Sequence, residues 1–136
     1  MQTDHPYYTS NTVLAAMHGE ADAIQRLMDI PANLQDPASL TYRLNELDTQ
    51  MSRLSDMMIQ AKAMRDKAGT DYWNENETEL TKLTATIQNR KINAFLHEHT
   101  VLYNRLDAMY HTMEHLTRDL VTQISYIKKQ MEQFGG

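Results

Sequence analysis

The chain contains no cysteine, which excludes disulfide staples, thiol nucleophiles and cysteine-ligated zinc or iron–sulfur centres. Its 136 residues include only 4 glycines and 3 prolines, so little interrupts the helix-forming residues that dominate it. Aromatic residues are scarce, at 7%. No apolar run approaches the ~20 residues a membrane span requires. The opening MQTDHPYYTSNT is polar and lacks the basic-then-apolar order of a signal peptide. A soluble cytoplasmic protein without a membrane partner is therefore expected.

There is no basic excess either. The formal net charge is −5, and it is unevenly placed. Residues 1–61 carry 3 basic and 8 acidic side chains, whereas residues 62–136 carry 10 of each. Strong nonspecific duplex binding, which rests on a basic footprint, is not expected. The charge-balanced C-terminal half could still touch a polyanion locally.

What the chain has in abundance is helical periodicity. Residues 1–10 read as a loose arm. Ser10 or Asn11 could cap a short helix, which Gly19 interrupts and Pro31 ends, with Val13, Leu14, Met17, Ile24, Leu27 and Met28 as its apolar stripe. Asp36-Pro37 then pairs an N-cap residue with proline at the first helical position. Beyond it Leu40, Leu44, Leu47, Met51, Leu54, Met58 and Ala61 step 4-3-4-3-4-3, a heptad seam. Gly69 is the expected stop, and residues 70–79 the expected connection, their acids gathered at the first turn of the next helix.

From about residue 76 to 133 neither glycine nor proline occurs, which predicts one very long helix or two nearly collinear ones. Its stripe opens with Leu80, Leu83 and Ile87. Phe95, His99, Leu102, Leu106, Met109, Met113, Leu116 and Leu120 follow in 4-3 steps, and Ile124, Ile127, Met131 and Phe134 resume the pattern after a stutter. The fold class expected is all-α: a long antiparallel coiled-coil helical hairpin over 36–136, preceded by a small helical segment within 1–35, and oligomeric. A helix over 37–68 covers only about half of its longer partner, at ~1.5 Å per residue. The uncovered seam must meet the N-terminal segment, another copy, or both. The expected oligomer interface is Leu106, Met109, Met113, Leu116, Leu120, Ile124, Ile127 and Met131. Ten methionines suit such a seam, as adaptable fillers of a core or of a soft interface.

Two stretches carry candidate chemistry. His111-Thr112-Met113-Glu114-His115 matches H-x-x-E-H, the inverted zinc-peptidase pattern. In the heptad register, however, His111 falls at f, Glu114 at b and His115 at c, on the face away from the seam. His97 shares the f position. Surface residues, or at most an adventitious metal pair, are expected there. His99 is different, because it occupies an a position, where a polar residue often fixes register. No phosphate loop, nucleophile elbow or calcium-loop spacing occurs. The expectation is a non-enzymatic protein with no catalytic residues, no cofactor and no metal.

The second stretch is AKAMRDKAGTDYW, residues 61–73. Lys62, Arg65 and Lys67 stand close to Tyr72 and Trp73 in sequence, and cations beside aromatic rings suit single-stranded nucleic acid. The competing reading is that the cations complement a helix C-terminus while the rings plug a turn.

RDKAGTDYW, the leucine-rich helix before it and the closing LTRDLVTQISYIKKQMEQF together resemble the UvsY-type phage recombination mediators, over residues 40–134. The resemblance implies a small all-helical homo-oligomer in the host cytoplasm that helps a recombinase load onto single-stranded DNA in place of the single-strand binding protein. It also implies that Lys62, Arg65, Lys67, Tyr72 and Trp73 contact DNA and that Leu116 to Met131 join subunits. The acidic N-terminal extension and the missing basic excess depart from that pattern. The general expectation is a self-associating assembly or adaptor protein, with the recombination mediator as its alternative.

Overall fold

The computed structural model describes residues 6–31 and 36–134. Among them there is no strand, and the elements are α1 (Pro6–Asp29), α2 (Pro37–Leu80), α3 (Ala85–Phe95) and α4 (His97–Phe134). The all-helical class read from the sequence is observed.

α1 starts earlier than expected and is not broken. Its helical residues begin at Pro6, so of the expected loose arm only residues 1–5 fall outside the described residues. Gly19 is passed without interruption. A glycine in a helix costs about 1 kcal/mol relative to alanine, and burial outweighs it here. Leu14, Met17, Ala21, Ile24 and Met28 recur at 3-4-3-4 spacing and are all buried, each large side chain contributing about 1.5–3 kcal/mol.

α2 begins as its sequence indicates. The Asp36 carboxylate accepts from Ala38 N at 3.2 Å and from Ser39 Oγ at 2.7 Å, with proline at the first helical position. Gly69, however, does not stop the helix, which runs on to Leu80 and makes the expected connection 70–79 helical. Ala68 and Leu80 are buried on this extension, and the Tyr72 ring stacks on Phe95 with centroids 4.5 Å apart. A local stop signal worth about 1 kcal/mol cannot prevail against those contacts.

The turn lies at 81–84. The Thr84 side chain accepts from Ile87 N, and Gln88 Nε2 donates to Leu80 O at 2.7 Å and to Leu83 O in the turn at 3.1 Å, adding to the bond that Leu83 N already makes to Leu80 O. The helical run therefore starts at Ala85 rather than near 76, and it divides at Leu96 into α3 and α4. Backbone bonding passes through that division, with Leu96 N donating to Ile92 O and Thr100 N to Leu96 O, both at 2.9 Å.

At about 1.5 Å per residue, the 44 residues of α2 reach roughly 66 Å and the 38 of α4 roughly 57 Å. The expected length mismatch is thus absent. The two helices meet in reverse order: Met51 touches Thr117, Arg65 lies over Tyr103, and Gly69 faces Leu96. α1 lies along one side of the pair. Its end meets Arg43 of α2, and its middle meets Arg105 of α4. The core accordingly draws from three helices, with Ile24, Leu40, Leu47, Leu54, Leu102, Leu106 and Met113 less than 2% exposed.

Candidate functional site

The stretch 62–73 lies wholly on α2, where each residue turns ~100° from the last. Sequence neighbours therefore point in different directions. Lys67 pairs with Asp71 one turn on, at 2.7 Å. Arg65 places its guanidinium 4.9 Å from the centre of the Tyr103 ring, a cation–π contact within the chain. Tyr72 is occupied by Phe95. Lys62 is exposed. Trp73 is half-buried beside Arg65, Asp66, Gly69, Thr70 and Leu96, around a shallow hollow of about 450 Å³. The five candidates thus do not converge as one platform. Arg65 and Trp73 share the hollow, Lys67 and Tyr72 have partners of their own, and Lys62 stands in solvent.

Gly69 faces Leu96, the residue before α4. A Cβ at Gly69 would come 3.4 Å from Leu96 Cδ1, an ordinary van der Waals contact.

The two histidines of the pentad lie on the outside of α4, while Met113 between them is buried. His111 Nδ1 is 3.0 Å from Glu114 Oε1 and Nε2 is 3.4 Å from Asp107 Oδ1, all three side chains being substantially exposed. His97 and His115 are exposed as well. Among the described residues no group of three or more His, Asp or Glu could hold a metal ion.

His99 is the contrasting case. It is 5% exposed, and neither ring nitrogen has a hydrogen-bond partner. Burial, and secondarily the nearby Arg65 charge, pushes its pKa below the ordinary imidazole value. Its place on the seam was legible from the heptad, but its lack of a partner was not.

Of the residues expected at an oligomer interface, Leu106, Met109, Met113, Leu120 and Ile124 are buried within this one chain, against α1 and α2. Leu116 and Ile127 are packed on the edge of the same core. Met131 is 60% exposed. Most of the seam thus already has its cover, and only its last turns do not.

Two arginines that sequence reasoning passed over are structurally central. Arg43, 8% exposed, donates to Met28 O at 3.0 Å, Ile30 O at 2.9 Å and Glu46 Oε1 at 2.7 Å, tying the end of α1 to α2. Arg105 reaches His18 Nδ1 at 3.0 Å and the Asp22 carboxylate. Its hydrogen bond holds the Asp22 carboxyl below the usual carboxylate range. The only available hint was a cation beside an apolar stripe, which does not distinguish a solvated side chain from one turned inward.

No described helix is long and apolar enough to cross a membrane. Compared with known proteins, the chain matches no family model, no curated protein and no solved structure.

Proposed function

We propose that this protein is a non-enzymatic helical adaptor that associates with itself through the bundle end where α1 and α4 finish and α2 begins. The supporting observation is the distribution of exposed apolar side chains. Ile30, Tyr42, Tyr126, Met131 and Phe134, at 53%, 72%, 58%, 60% and 85% exposure, all belong to that end. Along α4 exposure rises stepwise on one continuous stripe: 7% at Leu120, 8% at Ile124, half-buried at Ile127, then 60% and 85%. By the antiparallel register, Met131 stands opposite the first residue of α2, and Phe134 projects past it. An apolar cluster of this kind is a liability alone and an interface when paired.

In that reading the α2–α4 pair continues as a coiled coil whose last turns belong to an intermolecular contact. Light scattering after size exclusion tests it. The native chain is expected to elute as an oligomer at micromolar concentration, and Met131→Ser with Phe134→Ser to shift it to monomer. A monomer at every concentration removes the reading.

A second reading keeps the resemblance to phage recombination mediators, with single-stranded DNA and a recombinase as partners. Its support is that Arg65 and Trp73 border one open hollow, a cation and a ring together. Titration of a fluorescent single-stranded oligonucleotide at two salt concentrations tests it. Binding that weakens with salt and is lost on replacing Lys62, Arg65 and Lys67 by Ala supports it. No binding at low salt removes it.

A further inference from the structure

α1 fills only one of the two grooves that the antiparallel α2–α4 pair creates. Its contacts fall on one side, at Arg43 and Arg53 of α2 and Arg105 of α4. On the opposite side the pair presents Met51 and Met58 from α2 and Tyr103 and Tyr110 from α4, all packed on the core yet only partly buried. Each pair is spaced by seven residues, so the four side chains form a continuous strip along the helix axes. Thr117 Oγ1 and Met51 Sδ, 3.9 Å apart, meet across one end of it. Beside Met51 and Tyr110 lies a hollow of about 450 Å³, bordered otherwise by Asp48, Ser52, Ser55 and Asp56 of α2.

The rim of this groove is acidic on both sides. Asp48 and Asp56 stand on α2 at the hollow itself. On α4, Asp107 and Glu114 lie three residues before and four after Tyr110, on its face of the helix. The cations nearby do not cancel them. Arg65 is held over the Tyr103 ring, farther along. His111 contacts Asp107 and Glu114 and stands edge-on to the Tyr110 ring, so it shares the α4 rim with them, while Lys62 and Arg118 stand at opposite ends, exposed.

We infer that this groove receives an amphipathic helix with basic flanks, contributed by a different protein. A methionine- and tyrosine-lined floor adapts to apolar anchors at i, i+3, i+4 and i+7 of an incoming helix. The four carboxylates select lysine or arginine beside those anchors and steer the approach. A second folded copy of this chain is a poor occupant, since its α1, α2 and α4 already bury their apolar stripes in its own core. The occupied state is a four-helix bundle, with α1 and the incoming helix on opposite sides of the α2–α4 pair. The inference extends the adaptor reading to a second surface and does not depend on self-association, because a monomer carries the same groove.

The test uses the full chain and three fluorescein-labelled synthetic peptides of 18 residues. One is a leucine–lysine sequence with helical amphipathic spacing, one has the same composition scrambled, and one is the leucine–glutamate counterpart. The first is expected to bind at least tenfold more tightly than either of the others. Replacing Asp48, Asp56, Asp107 and Glu114 by their amides should weaken it at least tenfold. The same change of charge at Glu77, Glu79, Glu98 and Glu132, exposed and away from the groove, should weaken it less than threefold. Hydrogen exchange on the unsubstituted protein with the first peptide reads the location without relying on a variant's folding, and protection is expected at 44–58 and 103–117. Absence of binding, equal binding of the scrambled peptide, equal weakening by the two sets of amides, or protection elsewhere would each overturn the inference. Light scattering on the same samples reports self-association separately.

Discussion

A buried imidazole without a hydrogen-bond partner costs stability, and His99 is such a group. Each buried unsatisfied polar atom costs about 1–3 kcal/mol, so His99→Leu is expected to stabilise the fold by that order, as read by urea denaturation. Its pH dependence has a definite sign. The folded-state pKa lies below the ordinary value of 6.5, so the unfolded chain takes up the proton first as pH falls. The His99 contribution to stability is therefore complete above about pH 6.5 and declines below it, down to the folded pKa. Denaturation at pH 7.5 and 5.5 should show a loss that His99→Leu reduces; equal losses in both proteins would contradict it. Arg43 carries the opposite expectation. Its removal in Arg43→Met leaves Met28 O and Ile30 O without their donor and Glu46 without its cation, a loss of about 1–3 kcal/mol by the same measurement. Neither residue's weight was legible in the sequence. A heptad assigns positions to a face but says nothing of which polar atoms find partners there.

The helices show where local signals and tertiary packing compete. Gly19 is helical and exposed, with no atom within 4 Å of the place a Cβ would occupy. Gly19→Ala should therefore raise stability by about 0.5–1 kcal/mol, visible as a higher thermal midpoint. At Gly69 an added Cβ would make ordinary van der Waals contact with Leu96 Cδ1 at 3.4 Å, so alanine should gain by a similar amount and only a bulkier residue should destabilise. The C-terminal end of α2 is electrostatically unfavourable. Glu77 and Glu79 sit in its last turn, where no basic residue stands and the helix dipole favours cations. Glu79→Lys is expected to stabilise by about 0.3–1 kcal/mol at low salt, an advantage that should shrink as salt is added. The apolar stripes and the Asp36 cap could be read directly, since both depend on spacing within a few turns. The position of the turn could not, because it depends on Leu80 and Tyr72 finding partners across the chain, and Gly69 locally argued for an earlier stop. The candidate cations and rings at 62–73 are adjacent in sequence but dispersed in space, because helical rotation separates neighbours.

At the scale of the molecule, α1, α2 and α4 share one core, and that core uses most of the seam that α4 offers. Apolar side chains remain exposed at several places, Val13, Ile59, Ile87 and Val101 among them, and the most exposed of all, Phe134, stands with Met131 at one end; the acidic groove lies opposite α1. We propose that the end around Met131 and Phe134 joins two copies. Because the chain has no cysteine, a single spin label can be introduced cleanly, at Gln133→Cys beside the apolar end or at Glu77→Cys near the far end of α2. Pulsed dipolar spectroscopy on each then measures distances between copies directly. A short, well-defined intermolecular distance is expected for the label at 133 and none for the label at 77, lost at 133 when Met131 and Phe134 are both serine. Absence of intermolecular coupling at 133, or coupling that survives those two substitutions, would contradict it.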